Sequence, residues 1–369
     1  MIYRALVRTG TRVVVATREA PAVGDGELLI APENAGLCGT DIQILRGLRA
    51  ERASVIGHEG VGRVLARGAR ADARFAPGAR VLVNPTHPTN AGFLLGHNVD
   101  GLLQEMVLIP ESAVSDGLVL LAPHAPATEL ATLIEPLAAA HYALSILQEF
   151  KPRTLLAIGD GTIGHLAVRC AHRAGLRTIL VHHTEAGLRF SGAHALGIDV
   201  SCIGPFDPRI AFADGPTAVL IATPRDQTLS RLDEVLRTAI GDVVIDVVGG
   251  LPAGAASRYL PGLDLTALRA SNCAGRPLRP NIETRALRRS GRVHVTGHRG
   301  VSNDHLRWAA EELVAHPDHY RNLVTHVVDL HDAARIMTHL AQCQERVVDG
   351  RRLIKLAVRF PSSHIEEAS

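Results

Sequence analysis

The sequence predicts two domains, a small irregular β domain and a doubly wound parallel α/β sheet of six strands. Three observations lead there. A chain of 369 residues exceeds what one core organises, since single cores stop growing near about 250–300 residues. The first third breaks into short apolar runs separated by Gly, Pro and Asp clusters, the rhythm of a small β domain. From Ala127 the texture turns helical and then alternates strand-like runs with helices, the pattern of a parallel sheet.

The elements follow in order. The N-terminal stretch MIYRALVRTGTRVVVATRE alternates apolar and charged residues as a strand does, and RVVVAT, ELLIAPENAG, GVGRVLARG, ARVLVNP, LQEMVLIP and GLVLLAP read as the β domain's strands. ATELATLIEPLAAAHYALSIL is helical. TLLAIG, TILVHH, VSCIG, AVLIATP, DVVIDVV and RVHVTG supply six runs of aliphatic and β-branched residues suited to burial on both faces, the number of one complete doubly wound sheet. Between the first two, Ile163, Leu166, Ala167, Cys170, Ala171 and Ala174 recur on one helical stripe, so Cys170 is expected in the core. Residues 250–290 mix Gly, Pro and Arg without a period and read as connection or interface. SNDHLRWAAEELVAHP is helical with Ser302 or Asn303 as its cap.

Composition excludes several classes. Hydrophobic residues at 46% and charged residues at 21% describe a globular chain rather than a disordered one. A net charge of +2 with 3% aromatics provides neither a phosphate-tracking face nor a stacking platform, so nucleic acid is not an expected partner. The basic residues are almost all Arg, with Lys only at Lys151 and Lys355. No secretory signal and no apolar run of about 20 residues is visible, so no membrane is expected. Five cysteines scattered from Cys38 to Cys343 form no disulfide framework. Cytoplasm is the expected compartment.

GDGTIG places Gly159, Gly161 and Gly164, with Thr162 and Ile163, at G-x-G-x-x-G spacing after a predicted strand and at the mouth of a helix. There the first glycine turns the chain, the second admits a pyrophosphate to the backbone, and the third allows close packing, while the helix N-terminus offers amide donors. This is a Rossmann dinucleotide fingerprint. At the end of the second strand, where an acidic side chain usually meets the adenosine ribose, stand His182, His183 and Thr184. Without a carboxylate there, a 2′-phosphate is not repelled, and His183 or Arg189 adds attraction, whereas Glu185 keeps NAD open. NAD or NADP is expected, with a slight lean to NADP.

The β domain carries AGLCGTD, with Cys38, Thr40 and Asp41, and VIGHEGVG, with His58 and Glu59; Glu135 opens the following helix. Thiolate, imidazole and carboxylate are ordinary zinc ligands, and three protein ligands leave the open position catalysis needs.

Taken together, CGTD, GHEGVG, DGLLQEMVLIP, EPLAAA, GDGTIG and LVTHVVDLHDAARIM resemble, in order and over nearly the whole chain, the medium-chain zinc-containing alcohol dehydrogenase superfamily, particularly its polyol and sorbitol dehydrogenase-like branch. The resemblance implies a GroES-like β catalytic domain at 1–148, interrupted by a Rossmann NAD(P)-binding domain at 149–299 and resumed at 300–369. It makes Cys38 and His58 ligands of a catalytic zinc, with Glu59 or Glu135 completing the shell. Asp41 then orients the His58 ring, and Thr40 hydrogen-bonds the substrate oxygen and begins a proton relay. A homodimer or homotetramer is implied as well.

Three departures from the family pattern stand out. PTHPTNAGFLLGHNVDG lacks the four cysteines that hold a structural zinc in many relatives, so one zinc per chain and an altered lobe are expected. Gln43 stands where many relatives carry a relay histidine. Asp160 puts a charge inside the glycine turn. ILRG, with Arg46, and the segment carrying His298 and Arg299 look like relatives acting on polyols, cyclitols or their phosphorylated forms. The expected activity is interconversion of a secondary alcohol and a ketone on a small polar substrate. Alternatives are a redox-neutral epimerase or lyase with retained cofactor, and a zinc-free reductase or non-catalytic nucleotide-binding module.

Overall fold

A computed structural model describes residues 1–126, 128–194, 197–287, 291–343 and 345–361. In chain order the first elements are β1 (Ile2–Thr9), β2 (Arg12–Glu19), β3 (Leu28–Leu37), α1 (Gly39–Leu45), β4 (Glu59–Arg67), β5 (Arg80–Val83), β6 (Val107–Ile109), α2 (Glu111–Ser115), β7 (Val119–Leu121) and α3 (Ile134–Gln148). The alternating region follows as β8 (Thr154–Ile158), α4 (Thr162–Arg173), β9 (Arg177–His182), α5 (Glu185–Ala193), β10 (Val200–Ile203), α6 (Pro208–Ala211), β11 (Thr217–Ile221), α7 (Arg225–Thr238), β12 (Val243–Val247), α8 (Leu265–Ser271), β13 (Glu283–Ala286) and β14 (Arg292–Thr296). The chain continues through α9 (Asn303–Ala315), β15 (Val324–Val328), α10 (Leu330–Gln342), β16 (Val347–Val348), β17 (Arg351–Arg352) and β18 (Lys355–Arg359). These elements separate into two compact units, one of Met1–Glu135 with Leu306–Ser369 and one of Pro136–His305.

In the first unit a sheet runs in the order β15-β18-β3-β4-β5-β7, with β6 also pairing β3. The strand pairing Leu356↔Leu37 and Gly36↔Glu59 aligns β18, β3 and β4 at one level, which decides the site described below. The ten-residue β3 contains Pro32, which cannot donate to a ladder; the register shifts between Pro32 and Asn34, as a proline inside a sheet requires. Leu6, Leu28, Ile30, Ile44, Leu45, Ile56, Leu103, Ile336 and Met337 are buried together in its core.

The second unit's sheet runs β10-β9-β8-β11-β12-β14-β13. The six strands expected from sequence are all present and parallel, in the 3-2-1-4-5-6 order of a doubly wound dinucleotide-binding sheet. Leu156, Ile158, Ile179, Val219, Ile245 and Val295 fill its core. Residues 250–290, expected as connection, instead supply α8 and a seventh, antiparallel edge strand, β13. VSCIG, expected to be buried on both faces, alternates in burial along β10, because a short strand at the sheet's end is covered less than its neighbours. The α4 stripe also differs from expectation: Leu166, Ala167 and Ala171 are buried, but so are His165, Val168 and Arg169, while Cys170 is only half-buried and Ala174, the C-cap, is exposed. The helix is covered on more than one side, so a single apolar stripe does not define its buried face.

Ser302 rather than Asn303 caps α9: its hydroxyl accepts from His305 N at 3.2 Å, while His305 Nδ1 accepts from Ser302 N at 3.3 Å, a reciprocal cap in which histidine takes the usual acid's place. Among the described residues one helical stretch, Glu129–Gln148, is long and apolar enough to cross a membrane; 78% of its most apolar window is buried inside the protein, as in a core helix.

Candidate metal centre and dinucleotide turn

Cys38 ends β3's extension and caps α1. Its sulfur accepts from Thr40 N at 3.4 Å, and its own N–H donates to Asp41 Oδ2 at 2.8 Å. This reciprocal cap fixes the CGTD turn with Asp41 fully buried and Thr40 and Gln43 half-buried. Gly57 and the start of β4 deliver His58 and Glu59 to the same place. The ligand atoms of Cys38, His58 and Glu59 all lie within 4.8 Å of one another, and among the described residues this is the one such cluster of three. Tetrahedral ligands with zinc bonds of about 2.0–2.3 Å are about 3.4–3.8 Å apart, so small side-chain rotations suffice to grip one ion. Sulfur, nitrogen and carboxylate oxygen on largely buried side chains are a donor set that fits zinc.

The electrostatics around His58 are uneven. Burial disfavours its charge, but hydrogen bonding to Cys38 and the charges of Asp41, Cys38 and Glu135 outweigh it, and its pKa is pushed up to about 10. Asp41 Oδ1 faces His58 Nδ1 at 3.9 Å, and neither atom makes a hydrogen bond. Burial raises the Asp41 carboxyl above its ordinary value, against the opposing pull of His58 and the Cys38 N–H.

The two candidate carboxylates are placed differently. Glu59 lies in the cluster, but its Oε2 also pairs with Lys355 Nζ, both side chains being 1% exposed. Glu135, half-buried at the start of α3, is outside the set of three and acts on His58 through its charge. Lys355 is a residue that sequence reasoning missed. It belongs to β18, which pairs with β3, and its ammonium also reaches Leu37 O at 3.4 Å. Its rarity was the available signal, because almost every other cation in the chain is Arg.

A further imidazole stands beside the cluster. The segment 97–103 zips along 53–57: Ala53 N donates to His97 O at 2.8 Å, Gly101 N to Val55 O at 2.8 Å and Leu102 N to Gly57 O at 2.8 Å. Approach is so close that a Cβ on Gly101 would fall 2.1 Å from Gly57 O. The Asp100 carboxylate locks this seam by accepting from Ser54 N at 2.9 Å, Val55 N at 3.0 Å and Arg18 at 2.7 Å. As a result the His97 ring lies 5.2 Å, centroid to centroid, from that of His58. Burial, His58 and Arg49 push the His97 pKa down to about 2. Arg46 has a different role from the substrate contact considered from sequence. Its guanidinium donates to Leu340 O at 2.9 Å and to Cys343 O, satisfying carbonyls at the C-terminus of α10.

In the second unit the GDGTIG turn joins β8 to α4. Gly159 has φ +121°, and a Cβ on it would lie 2.4 Å from Ala222 O; a Cβ on Gly164 would lie 1.8 Å from Gly159 O. Gly161 is the N-cap of α4 with no side-chain cap, and a helix mouth of this kind is where backbone amides meet an anion. Thr162 and Ile163 are half-buried in the first turn. Asp160 turns away from that mouth. It is 1% exposed, its Oδ2 is 3.6 Å from His182 Nδ1, and a side chain at position 187 would collide with it. His182 is itself fully enclosed and 3.4 Å from Ser201 Oγ, which leaves His183 and Thr184 at the strand end. Thr184 caps α5 by accepting from Gly187 N at 3.1 Å. His183 lines a pocket of about 410 Å³ with Gln227, Ser230, Arg231 and Glu234. Arg189 is exposed and pairs with Glu185 at 3.2 Å. His298 is buried with Nδ1 3.1 Å from Asp246 Oδ2, whereas Arg299 is exposed.

Residues 24–117 match the family model of the alcohol dehydrogenase GroES-like domain. An uncharacterized zinc-type alcohol dehydrogenase-like protein of Haemophilus influenzae is 32% identical over 206 residues, 51% of this chain; the match spans only 57% of that relative. A protein named "Probable alcohol dehydrogenase adh" in Mycobacterium tuberculosis is 30% identical over 282 residues, covering 68% of this chain and 71% of its own length. Among solved structures, a zinc-binding dehydrogenase from Sinorhizobium meliloti bound to NADP superposes with a TM-score of 0.71 at 20% identity, covering 98% of this chain and 100% of that one, and shares the fold. Sheet order, glycine turn, donor cluster and relatives agree, and the chain belongs to the medium-chain zinc-containing alcohol dehydrogenase superfamily.

Proposed function

We propose that this protein is a zinc-dependent, NAD(P)-linked oxidoreductase that interconverts a secondary alcohol and a ketone on a small polar substrate such as a polyol, a cyclitol or a sugar derivative. The observation that carries the reading is the convergence of Cys38, His58 and Glu59 within 4.8 Å in a chain that also builds a 3-2-1-4-5-6 sheet with a glycine turn.

Cys38, His58 and Glu59 hold the zinc, with Glu135 as the exchanging carboxylate, and one zinc is held per chain. Bound zinc supplies positive charge that stabilises oxyanion character on the substrate, and bound nicotinamide supplies or accepts the hydride. Asp41 steadies the His58 ring from its Nδ1 side. The Thr40 hydroxyl hydrogen-bonds the substrate oxygen. Lys355 would neutralise Glu59 whenever Glu135 took its place on the metal, so that no bare charge is buried. Gly159, Gly161, Thr162, Ile163 and Gly164 present the helix mouth to the pyrophosphate, and His183 and Thr184 meet the adenosine ribose. The lack of a free carboxylate at that strand end supports NADP slightly over NAD. The catalytic domain comprises 1–148 and 300–369, and the nucleotide domain 149–299.

Elemental analysis for zinc, with a panel of polyols, cyclitols and their ketones followed at the absorbance of NADH and NADPH, tests the reading. Cys38→Ser is expected to abolish metal and turnover together while nucleotide binding survives. Unchanged turnover in that variant defeats it.

A further inference from the structure

We propose that His182 and Gly187 are positioning residues for the dinucleotide: together they hold the Asp160 carboxylate beside the start of α5, off the mouth of α4 where the pyrophosphate binds. The proposal rests on the nucleotide-binding part of the reading above.

Asp160 is a charged residue inside the glycine turn, one position before Gly161, the N-cap of α4. The positive end of a helix attracts nearby anions, so an aspartate here competes with a pyrophosphate unless it is kept elsewhere. Two neighbouring elements keep it elsewhere. The end of β9 supplies His182, fully enclosed, with Nδ1 3.6 Å from Asp160 Oδ2. That separation is beyond a hydrogen bond and within ion-pair reach, and among the described residues the buried Nδ1 makes no hydrogen bond. The other ring nitrogen lies 3.4 Å from Ser201 Oγ on β10; a hydroxyl hydrogen donated there leaves the ring proton on Nδ1, towards the carboxylate. The turn is tied to the same strand end, because Gly159 N donates to Val181 O at 3.0 Å.

The other element is α5. Gly187 is buried in its first turn, and a Cβ there would fall 1.7 Å from Asp160 Oδ2 and 3.4 Å from His182 Nδ1. The backbone does not demand a glycine, since this residue is helical and its φ is not positive. Glycine is the poorer helix former, so the helix gives up stability at this position, and the carboxylate fills the space released. The other glycine of the helix, Gly192, shows the contrast, because a Cβ on it would meet nothing within 4 Å. The recess also lies at the N-terminal end of α5, where the helix dipole favours a negative charge.

The test compares ADP-ribose, which carries the pyrophosphate, with adenosine, which carries none, each displacing NADH from the whole chain. His182→Leu keeps the bulk and removes the ring N–H. It is expected to raise the Kd of ADP-ribose about tenfold, the effect of a like charge close to a diphosphate, with adenosine within about twofold. Adding Asp160→Asn, which keeps the shape and removes the charge, is expected to bring ADP-ribose back to within about threefold of wild type. A loss equal for both ligands, no loss, or a loss that Asp160→Asn does not repair overturns the proposal and leaves the three residues as packing. If His182→Leu fails to fold, Gly187→Ala presses on the carboxylate from α5 instead. It is expected to show the same selective loss, repaired by Asp160→Ala, which removes charge and bulk together; wild-type affinity in Gly187→Ala overturns the proposal. Wild-type protein that binds neither ADP-ribose nor adenosine defeats the nucleotide reading and this proposal with it, whereas wild-type binding with unselective variants defeats the proposal alone.

Discussion

Replacing Lys355 with methionine removes the ammonium that faces Glu59 while keeping an unbranched apolar stem. Both side chains are 1% exposed, so in metal-free protein the variant strands a carboxylate where water does not reach. Removing one partner of a buried ion pair costs about 3–5 kcal/mol, a large share of a typical stability of about 5–15 kcal/mol. The other contact of the ammonium, with Leu37 O at 3.4 Å, is long and contributes little, so nearly the whole loss belongs to Glu59. Adding Glu59→Gln to Lys355→Met removes the stranded charge and is expected to recover most of the stability. Zinc offers the stranded carboxylate another partner. Saturation at 100 times Kd stabilises by about 2.7 kcal/mol in any case, and the zinc-dependent increment is expected to be larger in Lys355→Met than in wild type, whose Glu59 must first leave its lysine. Urea denaturation of wild type, both single variants and the double variant, with chelator and with zinc, reads all of this as a double-mutant cycle. A metal-free Lys355→Met protein within about 1 kcal/mol of wild type, or a double variant no more stable than the single, would refute the reasoning that desolvation governs this pair.

Two further outcomes follow from the geometry. Gly164→Ala places a methyl 1.8 Å from the Gly159 carbonyl oxygen, so the turn must open; the Kd for reduced cofactor, read by nicotinamide fluorescence, is expected to rise about tenfold or more with zinc content unchanged, and an unaltered Kd contradicts this. Asp100 is held below the ordinary carboxylate range, because burial, which opposes its charge, is outweighed by the Val55 N–H, Arg18 and Ser54; its stabilising contribution is therefore complete above the unfolded value of about 3.9 and is lost as pH falls through the lower folded value. The stability gap between wild type and Asp100→Asn, followed in urea from neutral pH downwards, is expected to close on acidification, and a gap that widens in acid would count against the assignment.

Much of the second unit was legible because its signals are local. Six short apolar runs alternating with helical segments mark the strands of a parallel sheet, and GDGTIG has steric reasons for each glycine that the observed φ of Gly159 and the close approach at Gly164 express. Edge effects were not legible. Nothing within VSCIG says that it lies at the end of a sheet, and RPNIETRAL carries no periodicity to announce the added antiparallel strand β13. Arg46 looked equally suited to a substrate or to a helix end, and the choice fell to α10, almost 300 residues further along the chain.

By itself the sequence determined the donor types and their order, a thiol in a capped turn, an imidazole next to a carboxylate, and a glycine turn between strand and helix, because each depends on neighbours a few residues away. Only the tertiary structure decided which of these groups face one another. The pairing of β18 with β3, and of β3 with β4, sets Lys355 against Glu59 across 296 positions, and the seam between 53–57 and 97–103 sets His97 beside His58. Charge compensation and desolvation act through space at distances of a few ångströms, so their partners are fixed by strand register and backbone approach, which no local pattern encodes.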